Sequence, residues 1–577
     1  MRSVLFVLVF MSTLGYAQVG VGTTTPDASA ALDVSSTTAG VLVPRMTEAQ
    51  RTSIATPATG LLVYQTNNTA GFWFYDGSAW SSLSVPAVNP SWELQGNVGT
   101  SPGTDFMGTA DDQDVVFKRN NVLSGRLNAN NLSFGVSSMR DLNPAGSSAE
   151  NTAFGTATLQ SLTFASHNSA FGYHALHSNT NGADNSAFGH YALYSNLGGE
   201  ENSVFGYRAM ESSEAGQENA VFGAYALSSN NWSGGNGNCV FGYDAMRDAT
   251  NSRYNCAFGH DSLKSNTGEY NCAFGRRALY SNTSGSYNVA IGQLSMRNAD
   301  LGSNNTAVGN GSLQNNSVDG NTAIGSNAMG SNTTGLRNTS VGTQSLDENL
   351  TSSDNTAVGY NTLSTNYDGH CTAMGSLALA GVGSVEYATA LGSNAFTTKA
   401  NSIEYFDNST AIGYNAQPGA SNTIRLGNSA VTTIGGYANW SNVSDGRFKT
   451  NISENVAGLD FILKLKPVTY QLDLQALARF LNTPDELRIK DAENKKSKEV
   501  QIGFIAQDVE KAAKEIGFDF HGVDVPKSET SHYSLRYAEF VPPLVKAIQE
   551  QQTMIHQLRM EIQELKAEMN TLSSHSN

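Results

Sequence analysis

The chain has 577 residues, which excludes a single compact domain and predicts several domains or an extended array. Only 15% of the residues are charged while 56 are glycine, a balance that favours repetitive β-structure over an ordinary enzyme. The net charge of −16 argues against a nucleic-acid partner, and we predict none. Because 17 of the 34 lysines and arginines lie in the last 134 residues, we expect a domain boundary near Ser444.

Residues 1–17 predict a secretory signal peptide. Arg2 supplies the positive end, residues 4–14 form a short apolar run, and small residues lead up to Ala17 at the cleavage position. The mature chain would then start at Gln18, and we expect a secreted or cell-surface protein. The apolar run is too short for a permanent membrane helix and no later run reaches about 18 apolar residues, so no transmembrane segment is predicted.

Two β-rich segments follow the signal peptide. Residues 18–90 contain short β-runs separated by glycine, proline and asparagine, and predict a small β-rich module. We assign Trp73 and Trp80 in this module to core or interface packing, with a sugar-binding face as the alternative. Residues 91–145 form a second β-rich segment. No cofactor or metal site is predicted anywhere in the chain.

The centre of the chain, residues 146–435, is a repeat. Its copies follow the pattern of Asn168-Ser169-Ala170-Phe171-Gly172, and the glycine recurs in steps that are nearly always 16 or 17 residues. Each copy supplies two short β-runs and two turns, too little to bury a core alone, so neighbouring copies must stack as rungs of a β-solenoid. With strands about 4.8 Å apart, about seventeen rungs would form a shaft on the order of 80 Å long.

Each position of the repeat has a predicted role in the solenoid. Small apolar residues fill the interior, glycine permits the tight turn, and the recurring asparagine stacks into an amide ladder. The cysteines are predicted to share one place in the repeat, where other copies carry Ser, Thr, Ala or Val, and to act as small fillers, with disulfides between rungs or chains as the alternative. These cysteines are Cys239, Cys256, Cys272 and Cys371.

Aromatic residues follow several of the repeat glycines. They form either the solvated outer corner of each rung or a stripe that contacts a ligand, such as a host-surface glycan. These residues include Tyr173, His174, His190, Tyr191 and Tyr207.

The repeat resembles the head repeats of trimeric autotransporter adhesins, which are left-handed parallel β-rolls, although its period is longer than theirs. The resemblance implies that the shaft is a homotrimer. A monomeric β-helix is the competing structure.

Residues 436–543 predict a mixed domain of short strands and helices. Asp508 to Ile516 carries apolar residues at helical spacing, whereas the charged stretch from Arg488 to Lys498 is expected to be an exposed loop.

Residues 544–577 predict a coiled coil, because apolar positions alternate in steps of three and four. The predicted core positions are Ile548, Gln551, Ile555, Leu558, Ile562, Leu565, Met569 and Leu572. Ile at one core position and Leu at the other is by itself a dimer preference, but a three-chain shaft requires a three-chain helix at its end.

The stretch from Val443 to Lys449 places a hydroxyl group five residues before an amine. Ser444 and Lys449 can form a Ser/Lys dyad, in which a desolvated, neutral lysine takes the proton of the serine. The alternative is an ordinary turn with Arg447 and Lys449 as solvated charges.

The chain from Ser444 onward resembles the S74 peptidase family, the intramolecular chaperone domain at the ends of phage tail spikes and tail fibres. Four blocks carry the resemblance, at residues 444–452, 465–468, 503–509 and 537–550. The resemblance implies a domain that assembles three chains, helps to fold the upstream segment and then cuts itself off.

The same resemblance assigns roles to individual residues. It implies that the scissile bond is Val443–Ser444, that Ser444 is the nucleophile and that Lys449 is the general base. Asp445 and Arg447 would support the motif.

Two other functions remain open at this point. The chain could be a structural adhesin whose C-terminal domain stays attached as a permanent clamp, or a phage-type fibre that binds or degrades glycans. Glycan cleavage requires paired carboxylates in a groove, and the repeat has few acidic residues, none of them recurring in register with another.

Overall fold

The structure is a computed structural model of the chain. It describes residues 18–83, 101, 106–142, 148–229, 235–365, 368–396, 406–527 and 531–575. The predicted signal peptide lies outside the described residues. Among the helices that the structure describes, none is both long enough and apolar enough to cross a membrane. The chain divides into two compact units, Met1–Gly108 and Thr109–Asn577.

The first unit is a small β-module. Its elements are β1 (Val19–Val21), β2 (Leu32–Val34), β3 (Arg45–Met46), α1 (Glu48–Thr52), β4 (Leu62–Gln65), β5 (Gly71–Tyr75) and β6 (Trp80–Ser82). Strands β3 to β6 form one sheet. Arg51 is buried beside it, with its guanidinium carbon 3.9 Å from the ring centroid of Trp73 and 5.3 Å from that of Trp80. Both tryptophans therefore contribute to packing within the module, as predicted.

The second unit begins with three antiparallel strands that lead into the shaft. β7 (Val115–Arg119) pairs with β8 (Val122–Leu127), and β8 pairs with β9 (Asn131–Phe134). β9 then pairs in parallel with β10 (Asn151–Phe154) and is the first rung of the shaft. Asn131 to Gly135 fits the repeat pattern, so the shaft begins one rung earlier than the predicted boundary at residue 146.

Sixteen further strands continue the parallel stack. They are β11 (Ser169–Phe171), β12 (Ser186–Phe188), β13 (Ser203–Phe205), β14 (Ala220–Phe222), β15 (Cys239–Phe241), β16 (Cys256–Phe258), β17 (Cys272–Phe274), β18 (Val289–Ile291), β19 (Thr306–Val308), β20 (Thr322–Ile324), β21 (Thr339–Val341), β22 (Thr356–Val358), β23 (Thr372–Met374), β24 (Thr389–Leu391), β25 (Thr410–Ile412) and β26 (Ile424–Leu426). Equivalent residues pair across neighbouring rungs, as Ala153 does with Ala170. The predicted β-solenoid of about 17-residue rungs is confirmed.

The second half of each rung differs from the prediction, because it is not a strand. In the rung of β11, His174 has φ of 58° and Leu176 has φ of 51°. Left-handed residues at every second position curl the backbone and prevent an extended run. Rung-to-rung hydrogen bonds nevertheless continue, with the Leu176 N–H donating to the Ala192 carbonyl at 3.0 Å. The expectation of two β-runs per copy is therefore wrong for this half.

The interior of the shaft is filled by columns of small and medium apolar residues. Ala170, Ala175 and Leu176 are fully buried, and their counterparts in neighbouring rungs repeat the arrangement. The rung glycine allows this close stacking. A Cβ at Gly172 would lie 2.3 Å from the carbonyl oxygen of Gly189, and the φ of Gly172 is 137°. No other residue tolerates both constraints at this position.

The asparagines form the predicted ladder. Asn168, Asn185 and Asn202 are fully buried. The Asn185 Oδ1 accepts hydrogen bonds from the backbone N–H of Asn202 at 3.1 Å and from its Nδ2 at 2.9 Å. The ladder thus satisfies buried backbone donors as well as the side chains themselves.

The cysteines correct one detail of the repeat. Cys239, Cys256 and Cys272 begin consecutive strands and pair with one another in register, half-buried and free. Cys371 instead occupies the ladder position, where its backbone N–H donates to Asn355 Oδ1 at 3.0 Å. The prediction of one shared place is therefore wrong for Cys371, because the adjacent threonine takes the first strand position of that rung.

The C-terminal domain follows the shaft within the same unit. Its elements are α2 (Leu459–Ile462), β27 (Val468–Tyr470), α3 (Leu474–Phe480), α4 (Lys490–Lys496), β28 (Gln501–Gly503), α5 (Ala506–Glu515), β29 (Val523–Asp524), β30 (Ser534–Leu535) and α6 (Val541–His575), with short 3-10 turns at Gly446–Phe448, Asp485–Leu487 and Tyr537–Phe540. The core contains Phe461, Val509, Ala512, Ala513 and Phe540.

Two sequence expectations for this domain have different outcomes. The helix predicted from Asp508 to Ile516 is confirmed as α5, whose apolar face packs into the core. The charged stretch from Arg488 to Lys498 is not an exposed loop. It contains α4, in which Glu493 is 4% exposed and accepts from Arg488 Nη2 at 2.8 Å. Pairing with Arg488 allows Glu493 to be buried within an otherwise largely exposed segment.

Candidate cleavage site

The stretch around Ser444 is a tight turn built by its own side chains. Asp445 caps the 3-10 turn Gly446–Phe448, and its Oδ1 accepts from the backbone N–H of Arg447 at 2.9 Å. The Arg447 guanidinium donates back to Asp445 Oδ2, with Nε at 2.9 Å and Nη2 at 2.6 Å. These bonds with Arg447 lower the pKa of the Asp445 carboxyl group. The pair shapes the turn between the two candidate catalytic residues.

The turn brings the predicted dyad together. Lys449 Nζ donates to Ser444 Oγ at 2.9 Å. The five-residue spacing works because the 3-10 turn folds the chain back, and the Lys449 backbone N–H bonds the Gly446 carbonyl at 3.2 Å. The candidate nucleophile and the candidate base are thus within the hydrogen-bond reach that acyl transfer requires.

The same turn lies in open solvent within a single chain. Val443 is 85% exposed and Phe448 is 73% exposed. A lysine can act as a base only as a neutral amine, and removal from water favours that form. The arrangement therefore has the contact that a Ser/Lys dyad needs but lacks the dry surroundings.

The C-terminal domain also contacts the end of the shaft upstream of Val443. Lys496 Nζ donates to the carbonyl of Ser429 at 2.8 Å and to that of Val431 at 2.6 Å. The Ser429 hydroxyl donates to Glu493 Oε1 at 3.2 Å. Helix α4 thus holds the segment just beyond β26, on the other side of the Val443–Ser444 bond. Sequence reasoning missed this contact, because partners more than sixty residues apart leave no local pattern.

Helix α6 is anchored to the domain at its base. The Leu459 backbone N–H donates to Glu550 Oε2 at 2.7 Å, and a Cβ at Gly458 would lie 2.5 Å from that oxygen. Farther along the helix, the predicted coiled-coil positions are exposed, with Ile555 at 44% and Leu565 at 59%. The helix therefore presents an unpartnered apolar row.

Within the part of the chain that the structure describes, no group of three or more His, Cys, Asp or Glu residues is arranged to hold a metal ion. The reactive side chains that this turn brings together are the hydroxyl of Ser444 and the amine of Lys449.

The shaft is followed by a small domain with a projecting helix, and this arrangement together with two family matches supports a tail-fibre-like protein. Comparison with known families agrees. Residues 444–518 match the family model of Peptidase S74, described as chaperone of endosialidase. Residues 20–97 match a phage tail like trimerisation region. The predicted S74 resemblance is confirmed. No curated protein matches the chain.

Proposed function

We propose that the chain is a secreted, trimeric surface fibre whose C-terminal domain assembles and folds the shaft and then cuts itself off at Val443–Ser444. The observation that carries the proposal is the 2.9 Å contact between Lys449 Nζ and Ser444 Oγ, at the first residues of the S74 match. The exposed apolar surfaces of the single chain and the exposure of the turn support assembly before cleavage.

The cleavage step follows from where Ser444 lies in the scissile bond. Lys449, as the neutral amine, takes the proton of Ser444 Oγ, and that oxygen attacks the carbonyl carbon of Val443. The C–N bond breaks as the nitrogen of Ser444 accepts a proton from the lysine, which leaves an ester between Val443 and the Ser444 hydroxyl. Water then hydrolyses the ester and releases Val443 as a new C-terminus. Each chain cuts once.

Self-association is supported by two apolar surfaces that a single chain leaves uncovered. One is the row on α6. The other is the shaft face formed by the last residue of each strand, where rings stack rung on rung, as Phe171 does on Phe188 at 4.7 Å. Farther along, Ile291 is 42% and Ile324 is 41% exposed on that column. A continuous apolar face of this kind is typical of an interface between chains.

Assembly would switch on the dyad. In a trimer, neighbouring copies would cover the exposed turn and remove water from Lys449, so cutting would follow assembly. A removable clamp also suits the shaft. Near-identical rungs can pair one step out of register, and long-range β-pairing is slow, so a domain that trimerises first would set the register. After cutting, the fibre would be held by a slow unfolding rate.

A second candidate is a permanent clamp that does not cut. The contacts of Lys496 and Glu493 with Ser429 favour it, because they join the domain to the shaft across the scissile bond. In this reading Ser444 and Lys449 form only a solvated turn.

Intact mass and molar mass in solution separate the two candidates. The chain from Gln18 onward is expressed as wild type, Ser444→Ala and Lys449→Ala, with Lys495→Ala as a matched control for loss of a lysine. A break before Ser444 in the wild type and the control, absent from the two dyad variants, supports cleavage. An uncut wild type in a folded trimer would leave the permanent clamp as the function.

A further inference from the structure

One corner of the shaft carries rings and charges that the rung itself does not require. We define the aromatic stripe as the residues one, two and five positions after each rung glycine from Gly172 to Gly275, beginning with Tyr173, His174 and His177. Eleven of these 21 positions are Tyr or His. At the same positions of the rungs from Gly292 to Gly413, only Tyr360 and Tyr414 are aromatic, and those rungs pair in the same parallel register. The rings are therefore not needed to form a rung.

The rings of the stripe form a continuous ladder along the shaft. Tyr173 stacks on His190 at 5.0 Å between centroids, and His190 stacks on Tyr207 at 5.3 Å. The contacts continue through Tyr225 to Tyr243, at 5.3 and 6.2 Å. Tyr173, Tyr207 and Tyr243 are 42–48% exposed. The stripe thus offers a linear row of partly exposed rings, with one ring per rung and the rings in contact with one another along the shaft.

The second position of the stripe is conformationally unfavourable for the residues found there. His174, Tyr191 and Arg208 have φ of 58°, 59° and 55°. Of the eight equivalent positions farther along the shaft, five carry Gly or Asn, the residue types that tolerate this conformation, such as Gly311 and Asn327, and the other three carry Leu or Gln. None of the seven second positions of the stripe is Gly or Asn, so large or charged side chains are kept there more consistently than in the later rungs.

The charges of the stripe are of both signs, with five Arg or Lys residues and three Asp or Glu residues, and several of them are paired. Arg247 Nη1 lies 3.2 Å from Asp244 Oδ2, and both Arg277 and Lys264 pair with Asp261, at 3.2 and 3.3 Å. Asp244 is 5% exposed, and its Oδ1 has no hydrogen-bond partner among the described residues. Paired acids and bases beside rings offer donors and acceptors together, which suits hydroxyl groups, and an excess of only two cations over the seven rungs is small for binding a polyanion.

We propose that the aromatic stripe binds an extended polysaccharide along the shaft. The apolar C–H groups of successive sugars would pack against the exposed part of this row of rings, and their hydroxyls would bond the charged pairs. The stripe runs over seven rungs, about 30 Å at the spacing of parallel strands, so it would contact several consecutive sugars. This binding goes beyond the proposed function and does not depend on cleavage.

The test uses substitutions that other rungs already contain. The full chain is prepared as wild type and as the triple variant Tyr173→Ser, Tyr207→Ser and Tyr243→Ser, since Ser326 and Ser376 occupy that position elsewhere. Tyr360→Ser removes a tyrosine from the same position outside the stripe and serves as the matched control. Binding is measured to immobilised neutral glucan and galactomannan, to alginate and hyaluronan, and to double-stranded DNA.

We expect binding to at least one polysaccharide that persists in about 0.5 M NaCl, where the Debye length is only a few Å. The triple variant should bind at least about tenfold more weakly, and the Tyr360→Ser variant should bind as the wild type does. Arg277→Asn, which matches Asn327 and Asn361, gives a second variant that should weaken binding if the triple variant fails to fold.

Three results would overturn the proposal. The first is that the wild type binds none of the polysaccharides, and the second is that the wild type and the stripe variants bind equally well. The third is that the chain binds alginate and DNA alike and that this binding disappears in about 0.5 M NaCl. Intact mass of the same samples reports cleavage independently, so loss of glycan binding with normal cleavage would leave the proposed function untouched.

Discussion

The asparagine ladder makes the most quantitative prediction about the shaft. Asn185→Ala removes four hydrogen bonds from a fully buried side chain. Nδ2 donates to the carbonyls of Ala183 at 3.0 Å and Gly199 at 2.8 Å, and Oδ1 accepts from the backbone N–H and the Nδ2 of Asn202 at 3.1 and 2.9 Å.

Only one of the four partners is left without a substitute. The Ala183 carbonyl keeps a bond from the Glu201 N–H, the Gly199 carbonyl keeps one from Asn196, and the Asn202 Nδ2 keeps the Gly216 carbonyl. The backbone N–H of Asn202 loses its acceptor. A buried orphan donor costs about 1–3 kcal/mol and each of the other three lost bonds about 0.5–1.5 kcal/mol, so the opening free energy of this rung should fall by about 2.5–7.5 kcal/mol.

Hydrogen exchange followed by mass spectrometry measures this loss rung by rung, which suits a stack whose rungs open locally. At about 1.4 kcal/mol per tenfold, amides near the substitution should exchange roughly 10² to 10⁵ times faster. Asn181→Ala in the same rung, where the side chain is exposed, is the matched control and should change little. A loss below about 1 kcal/mol for Asn185→Ala would refute the ladder as a source of stability.

Three further predictions concern other contacts. In Gly189→Ala the new Cβ would lie 2.2 Å from a carbonyl oxygen at a φ of 143°, so the variant should lose about 3 kcal/mol or more of stability and melt at a lower temperature. Gly198→Ala, with open space around the new Cβ, should melt as the wild type does. Equal melting temperatures of the two variants would contradict this prediction. After cleavage, Lys496→Ala should speed release of the C-terminal fragment about tenfold through loss of its two bonds to shaft carbonyls, and Lys495→Ala should leave the rate unchanged. Burial, with two neighbouring thiols, raises the pKa of Cys256 from 9.0 to about 12. Near pH 8.5 the smaller thiolate fraction should make iodoacetamide label it roughly a thousandfold more slowly in the folded chain than in the unfolded chain, and equal labelling rates would rule this out. The stability that this thiol contributes should be present below pH 9 and fall as the pH rises toward 12.

The sequence predicted the residues of the candidate site but not their exposure to solvent. Ser444 and Lys449 were chosen from their spacing and from the family resemblance, and the 3-10 turn that joins them depends on Asp445 and Arg447 close by in the chain. Their exposure, and the hold of Lys496 on the shaft, were not predictable. Both depend on how distant segments pack, which a local pattern does not record.

The sequence by itself determined the shaft. A glycine every 16 or 17 residues, a buried asparagine and a small apolar residue impose the same rung each time, because each rung meets only its neighbours and the contacts are local in the stack. Only the tertiary structure decided the backbone conformation of the second half of each rung and the packing of the segments that follow the shaft. It showed that the second half of a rung curls through left-handed residues such as Leu176, that Cys371 joins the ladder, and that the charged segment near Glu493 folds into a helix against the end of the shaft. These outcomes depend on the balance between backbone strain, burial and charge pairing, which is settled only when distant residues meet.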